Sequence, residues 1–437
     1  MAQENLASKI LPSNNFEATI HPLYPTTKVA YLDQSVESSV PCKIYPESSD
    51  ISNGSPIEFV IHDCSEFYLD LSSIKLELGL RILDADGVRD GVLDDSKIYF
   101  TNNLISALFP VVKVFINNTN VESQYYAHHT GNLNHIRDIS NQLALNRGRA
   151  SGVWPLEKLG VSGTITAPIA DYNVTRKTFS KKDLVYVKGY LNIDIASSNK
   201  WLVDGTTVRI ILDQAKADQI INAVDNLTHW NYEIRSIRLL VNRIRPTRAA
   251  FLNTSKYLQN HSMEYIFKQN IVHSQILAGG QTSLTINRPF NSKIPSLFHI
   301  FFVNQAAEQG SYKNDRFYYT TNRLGAYRVT INGRVLIEDE IQPGSDHMSV
   351  YEDSREACRA FDTFIPTDMY THGSFVVSVR TNDSQPGELM YESSGNLVVF
   401  VNFTQAIAAT QLCFLVGEFH SSYEITPDRQ CLTNSSY

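Results

Sequence analysis

The chain has 437 residues, more than one hydrophobic core usually accommodates, so two domains are expected. Its 38 basic residues against 45 acidic residues give a formal net charge of -7, which disfavours proteins whose surface is devoted to nucleic-acid backbones. The cysteines form no CxxC pair and no zinc-ligand spacing, which is typical of a chain that folds in a reducing compartment. They are Cys42, Cys64, Cys358, Cys413 and Cys431.

The first 50 residues predict an extended N-terminal arm, because prolines recur along them. Such an arm gains order by packing on the body of the protein or on another subunit. The segment Met1–Pro12 carries Glu4 and Lys9 and lacks the apolar core of a signal peptide. No run approaches the roughly 18 apolar residues of a membrane-spanning helix, so no membrane span is expected.

Short runs rich in Val, Ile, Phe and Tyr, separated by Asn, Gly, Asp and Ser, predict an all-β fold. From Leu76 to Ile82 the apolar residues alternate, which predicts a strand with one buried face. The clearest runs of the N-terminal half are Ile57–Ile61, Ile74–Leu83, Val111–Ile116, Leu184–Ile195 and Val208–Leu212.

Two helices are predicted, and each follows a strand that ends in an Ile-Asn turn. The first begins near Tyr126, where apolar residues recur at three- and four-residue spacing from Leu133 to Leu143, and the second spans Val350–Phe361. The preceding segments, Lys113–Asn117 and Arg328–Asn332, share a basic-Val-x-Ile-Asn pattern. The parallel indicates an internal duplication of one β unit.

The segment Gln214–Asn231 joins the two halves, and its apolar stretch around Ile220 predicts a short connecting helix. A second set of strand-like runs follows it. The set comprises Ile234–Ile244, Tyr265–Val272, Leu284–Ile286, Leu297–Val303, Tyr327–Ile331, Phe375–Val379, Leu397–Phe403 and Leu412–Phe419.

Motifs of catalysis are missing from the sequence. There is no GxGxxG, no P-loop, no HExxH and no GxSxG elbow, since Gly160–Gly163 lacks the residue between Ser162 and the second glycine. We therefore predict no catalytic residue, no cofactor-binding residue and no metal ligand, and a protein that is not an enzyme.

Two groups of polar residues were weighed as sites. His128, His129 and His135 form the densest histidine cluster; metal binding is one interpretation, and polar residues at a helix surface or interface is the favoured one. The pairs Asp94–Asp95 and Asp63–Glu66 have the residue types of general acid and base catalysis. Because both pairs lie in turn-like sequence without a nucleophile, solvated loop charges are favoured.

One basic run interleaves arginines with apolar residues, as expected for a strand with a charged face. Its arginines could approach packaged DNA, but no aromatic stacking platform accompanies them. Ion pairs within a sheet or between subunits are therefore favoured. The run comprises Arg235, Arg238, Arg243, Arg245 and Arg248.

Two sets of segments carry a likeness to a known family. In the N-terminal half they are Pro56–Ile61, Phe67–Ile74, Asn102–Phe109 and Val114–Asn117; in the C-terminal half they are Ile294–Pro295, Phe301–Ala307, Gly310–Asn314 and Tyr327–Gly333. Together these segments resemble the double jelly-roll major capsid proteins of Polinton (Maverick) elements and adintoviruses.

The resemblance implies two tandem eight-stranded antiparallel jelly rolls with a few short helices in loops. We expect an arm at 1–50, a first roll at 51–215, a linker at 216–231, a second roll at 232–420 and a tail at 421–437. It further implies a homotrimeric, pseudo-hexagonal capsomer in the icosahedral shell of a double-stranded DNA virus, assembled inside the host cell. The implied partners are neighbouring capsomers, penton proteins and minor capsid proteins, with packaged DNA contacted at most indirectly.

Other functions remain open at this point. A carbohydrate-binding jelly roll could use Trp154, Trp201 and Trp230 as stacking faces for sugars. A cupin-type enzyme would need histidines and a carboxylate that converge inside a barrel. A capsid protein could also be an endogenous copy encoded in a host genome.

Overall fold

The alternation of apolar residues along the strands explains where the cores lie. In the strand Tyr68–Leu83, Leu76 and Leu78 are fully buried, whereas Glu77 and Arg81 between and beyond them are partly exposed. A computed structural model describes residues 35–48, 51, 54–84, 87, 98–138, 150–154, 180, 182–198, 200–223, 230–341, 347–360, 363–381 and 393–433.

The first jelly roll consists of two four-stranded antiparallel sheets. Their orders are β1-β10-β3-β7 and β2-β8-β5-β6, and the short strands β4 and β9 pair separately. The strands are β1 (Val36–Ile44), β2 (Ile57–Ile61), β3 (Tyr68–Leu83), β4 (Ile98–Phe100), β5 (Val111–Ile116), β6 (Thr119–Tyr125), β7 (Val185–Tyr190), β8 (Val208–Asp213), β9 (Ile221–Ala223) and β10 (Asn231–Pro246).

Short helices lie in the connections of this roll. They are α1 (Leu104–Leu108), α2 (Ala127–Asp138), a 3₁₀ helix (Asp194–Ser197) and α3 (Ala217–Ile220). A longer helix, α4 (Arg248–Leu258), leads to the second roll.

The second jelly roll repeats the arrangement of the first. Its sheets have the orders β11-β20-β14-β17, extended by β21 beside β20, and β12-β19-β15-β16; β13 pairs with β18. The strands are β11 (Met263–Leu277), β12 (Ser283–Asn287), β13 (Lys293–Ile294), β14 (Leu297–Asn304), β15 (Leu324–Ile331), β16 (Arg334–Glu340), β17 (Val377–Arg380), β18 (Ser393–Ser394), β19 (Leu397–Phe403), β20 (Gln411–Ile425) and β21 (Cys431–Thr433). The helices are α5 (Gln305–Gln309), α6 (Met348–Cys358) and α7 (Thr367–Tyr370).

This topology confirms the predicted fold class and agrees with the predicted duplication. Strands β5 and β15 occupy equivalent places, and each leads through a hairpin and one more strand to a helix, α2 or α6. Both hairpins turn on residues with positive φ, at Asn117 (46°) and Asn118 (67°) in one and Asn332 (52°) and Gly333 (78°) in the other. A turn with two successive residues of positive φ has a backbone twist that matches the right-handed twist of the strands it joins.

The division between the rolls differs from the predicted linker at 216–231 and the predicted second roll from 232. Strand β10 pairs with β1 and β3, so the first roll continues to Pro246, and the connection is α4. The predicted connecting helix is limited to the four residues of α3, because Ile221–Ala223 forms strand β9. The alternating pattern of β10 identified it as a strand without specifying which sheet it joins.

Parts of the predicted arm and tail belong to the sheets. Strand β1 pairs with β10 at the edge of the first roll, and β20 and β21 extend the second roll to Thr433. Residues 1–34 and 434–437 lie outside the described residues.

Two hydrophobic cores follow the two rolls, with exchanges at the boundary. Leu133 and Ile136 of α2 belong to the core of the second roll, while Tyr423 and Ile425 of β20 belong to that of the first. Each roll therefore contributes apolar side chains to its neighbour. Among the described residues no helix is long and apolar enough to cross a membrane.

Candidate functional site

Several polar residues are buried at the junction between the two rolls. Nine of the twelve residues of α2 are buried, so the helix is enclosed on nearly all sides and is not a surface helix. Of the two predicted locations, a helix surface or an interface, the structure gives the interface between the rolls, because His128, His129 and His135 are each at most 2% exposed. Ile139 and Leu143, which were part of the predicted helix pattern, lie outside the described residues.

The imidazoles of α2 meet a carboxylate from the second roll. His128 Nε2 lies 3.2 Å from one oxygen of Glu308, and His129 Nε2 lies 3.1 Å from the other. Tyr319 completes the contact, because its hydroxyl lies 3.0 Å from His129 Nδ1. The network assigns the tautomer of His129: Nε2–H donates to Glu308, and Nδ1 accepts from Tyr319.

A buried guanidinium completes the cluster. One terminal nitrogen of Arg316, Nη2, donates to Glu308 at 3.1 Å and to His128 Nε2 at 2.7 Å. Burial opposes ionisation of Glu308, but the Arg316 guanidinium outweighs it and holds the pKa of Glu308 well below its usual range. Burial, followed by Arg316, holds the pKa of His128 well below its usual range, and burial lowers the pKa of His129. The cluster is therefore an ion pair with two neutral imidazoles.

The same residues were tested as a metal site. His128, His129 and Glu308 offer ligand atoms within 4.8 Å of one another. Arg316 donates into this group and already supplies the positive charge that the carboxylate needs. A divalent ion would face a buried guanidinium without a counter-charge, and that arrangement is strongly unfavourable. The geometry therefore fits a clamp between the rolls and does not fit a metal centre.

A second polar contact joins the rolls at β11. The Asp194 carboxylate accepts hydrogen bonds from the backbone N–H and side-chain amide of Asn270, both at 2.7 Å. Glu122 accepts the backbone N–H groups of Asp194 and Ile195 at 2.7 and 3.0 Å. Burial raises the pKa of Asp194 to about 7 and, together with the neighbouring Asp194 charge, raises that of Glu122 well above its usual range. The pair therefore retains a proton close to neutral pH.

The C-terminal strand fastens the second roll to the first. Arg429 forms an ion pair of 2.9 Å with Asp204, and its carbonyl accepts the side-chain amide of Asn117 at 2.5 Å. The Thr119 hydroxyl donates to the Cys431 carbonyl at 3.0 Å. These three contacts, which we call the C-terminal clasp, span more than 200 positions of the sequence.

Sequence reasoning identified the histidines but missed Glu308 and Arg316. Their partners are 179 and 188 positions away, so no local spacing reveals the cluster. One signal was present: Arg316 directly precedes the aromatic run Phe317–Tyr319, where a buried cation is expected to have a counter-charge.

The other sequence candidates do not converge on a site. Asp63 accepts the backbone N–H of Gly205 at 2.7 Å, and Glu66 is exposed beside Arg245, so these carboxylates are loop charges. Asp94, Asp95 and the segment 160–163 lie outside the described residues.

The tryptophans do not form a platform for sugars. Trp154 and Trp230 are 3% and 6% exposed, and Trp201 is partly exposed at 37%. A stacking face for a sugar needs an exposed ring, so two of the three are removed from consideration.

The arginines of β10 are engaged mainly within the sheet, as predicted. Arg235 pairs with Glu233 at 3.0 Å, and Arg238 pairs with Glu77 on the neighbouring strand β3. Arg245 lies 3.5 Å from Glu37 of β1, and Arg243 donates to the His62 carbonyl. Arg248 begins α4.

The sequence and the fold differ in their similarity to known proteins. No protein-family model matches the sequence, and no curated protein matches it. Solved structures do match. A chain from the cryo-EM structure of the Sputnik virophage superposes with a TM-score of 0.62 at 12% identity, over 95% of this chain and 92% of that one.

The structures of two major capsid proteins also superpose over nearly the full chain. The mavirus major capsid protein has a TM-score of 0.57 and 12% identity over 98% of this chain and 94% of its own. The Faustovirus major capsid protein has a TM-score of 0.57 and 12% identity over 97% and 98%. The chain therefore has the double jelly-roll fold found in major capsid proteins of DNA viruses and virophages.

Proposed function

We propose that this chain is a structural major capsid protein that forms the shell of an icosahedral double-stranded DNA virus or virus-like element. The observation that carries the proposal is the full-length superposition on major capsid proteins, which includes both rolls and their order. Two similar domains in each of three chains provide six near-equivalent corners, which suits a trimer at a six-coordinated lattice position. The Polinton or adintovirus type is part of this proposal and rests on the sequence segments named above.

The proposal assigns no catalytic function to the junction. Glu308 is held ionised by Arg316, and the imidazoles beside it are buried, so the groups are engaged with one another. Their arrangement suits a rigid subunit whose two rolls keep a fixed orientation. The other partners that we propose are neighbouring capsomers, penton proteins and minor capsid proteins in the virion, with assembly inside the host cell.

Solution mass and particle shape test the proposal. We expect light scattering of the purified protein to give three times the chain mass of 49.3 kDa, and electron microscopy to show hexagonal particles or shells. A mass of one chain at every concentration, without shells in the presence of the other virion proteins, would contradict it.

A further inference from the structure

The sheets β1-β10-β3-β7 and β11-β20-β14-β17 are equivalent, but among the described residues only the second has a covered outer face. There the ring of His129 lies 4.6 Å from that of Phe414 and 5.3 Å from that of Phe301. Arg137 of α2 also lies 3.5 Å from Glu418 of β20. The first roll, through α2, therefore covers the outer face of the second.

The outer face of the first sheet is exposed, basic and aromatic, and we call it the basic face. Register places Lys75 beside Tyr190, Glu77 beside Lys188, and Gly79 beside Tyr186 across β3 and β7. Tyr186 and Tyr190 are 59% and 65% exposed. Its charged residues are Lys43, Lys75, Arg81, Lys188, Arg235 and Arg238 against Glu77 and Glu233.

Helix α6, the equivalent of α2 in the second roll, lies in a surface whose charge is opposite to that of the basic face. Helix α6 and strand β16 together carry six carboxylates, which we call the acidic edge: Glu338, Asp339, Glu340, Glu352, Asp353 and Glu356. Strand and helix meet where Ser349 lies 3.3 Å from Asp339. Burial and the neighbouring Asp339 and Glu356 charges raise the pKa of Asp353. Arg328 and Arg355 offset part of this charge.

We infer that the acidic edge of one copy docks on the basic face of the next copy, repeating between chains the junction that α2 makes within the chain. This inference rests on the proposed function and names the contact between chains that closes the ring of three copies. The occupant is a second copy because the chain carries both complementary surfaces, on equivalent elements of its two rolls. Contacts of one patch with a different patch on the next copy are heterologous, and they form a closed ring when the rotation closes.

Charge complementarity of this kind sets partner choice and orientation. A like charge placed against either surface opposes association at an interface of matched potentials. The exposed tyrosines of the basic face suit the same role, because aromatic residues are enriched at the centres of interfaces.

Charge reversal on each surface tests the inference. The basic-face variant carries Lys43→Glu with Lys188→Glu, and the acidic-edge variant carries Glu352→Lys with Glu356→Lys. We expect each variant to raise the protein concentration needed for trimer formation at least tenfold, measured by light scattering. We expect the four changes combined in one chain to restore trimer formation at the wild-type concentration. Lys256→Glu on α4 is a matched control that should leave the trimer intact, as should Lys43→Arg with Lys188→Arg.

The outcomes separate this inference from the proposed function. If wild type and both reversed variants are trimers, the assigned contact is wrong while the capsid function stands. If wild type is a single chain under all conditions, the proposed function fails and this contact fails with it. If the basic-face variant stays trimeric but loses binding to a DNA duplex that wild type retains, the face binds nucleic acid and the inference is overturned. Thermal unfolding identifies any variant that does not fold, and the variant on the other surface then supplies the test.

Discussion

Helices α2 and α6 occupy equivalent places in the two rolls, yet their surroundings are opposite. Nine of twelve residues are buried in α2, against three of eleven in α6, where Val350, Tyr351 and Ser354 face the roll. The composition of α2 is not more apolar, since it contains three histidines and two asparagines. What differs is that a second roll follows α2 in the same chain. Burial of a helix is thus set by what the next domain covers.

The first consequence concerns the cost of burying charge. Replacing Arg316 by alanine leaves Glu308 buried without a cation, and we expect a loss of about 3–5 kcal/mol in the free energy of unfolding. Arg355→Ala in α6 is the matched control, because its pair with Glu352 is exposed and should contribute less than about 1 kcal/mol. Urea denaturation measures both. Equal losses would show that the junction is not a buried ion pair.

The second prediction concerns apolar contacts across the junction between the rolls. Ile136→Ala removes a side chain of α2 that is 2% exposed and belongs to the second core, so we expect a loss of about 2–4 kcal/mol. Leu252→Ala on α4 removes a side chain that is 56% exposed and should change the free energy of unfolding by less than about 0.5 kcal/mol. Comparable losses would argue against the packing of α2 on the second roll.

The third prediction uses pH to examine the polar contact between the two rolls at β11. The pKa of Asp194 is raised by burial to about 7 from an ordinary 3.8, so the folded protein binds this proton more tightly than the unfolded chain. Its contribution to stability is full below pH 3.8 and is lost as the pH rises through about 7.

The variant Asp194→Asn isolates this effect from other titrating groups. We expect the variant to remove a decline of up to about 4 kcal/mol in the free energy of unfolding between pH 3.8 and about 7, taken as the difference from wild type. Denaturation at a series of pH values measures the difference. A difference that does not change with pH would contradict the raised pKa.

The smallest effect is expected at the C-terminal clasp. Arg429→Ala removes a partly exposed ion pair with Asp204, and we expect a loss of about 1 kcal/mol. Hydrogen exchange should show faster opening of β21 with little change in β5. Lys293→Ala, in the short strand β13 of the second roll, serves as a control. No change in β21 would mean that the clasp does not hold this strand.

Prediction from sequence succeeded where structure is local. The helix predicted to begin near Tyr126 is α2, and the helix predicted at Val350–Phe361 overlaps α6, which ends at Cys358. The predicted Ile-Asn turn has the positive φ of a hairpin at Asn332. Their signals are periodicity and turn residues, which depend on a few neighbouring positions. The predicted end of the second helix at Phe361 lies just beyond the described segment that ends at residue 360.

Prediction failed where the partner is distant. Strand β10 was assigned to the second half because it follows the midpoint of the chain, although it pairs with β3 across more than 140 positions. The histidines of α2 were predicted at a helix surface or an interface, and nothing nearby in the sequence identifies the roll that encloses them. Glu308 and Arg316 were missed for the same reason.

The sequence by itself determined the all-β class, the strand faces, the two hairpins and the duplicated order of strand and helix. These depend on alternation, on three- and four-residue spacing and on residues that tolerate positive φ, all properties of short segments. The tertiary structure alone decided which roll receives β10, which histidines are buried and which outer sheet face remains exposed. Each of these depends on the surface that a distant segment presents, because burial and pairing are set by neighbours in space and not in sequence.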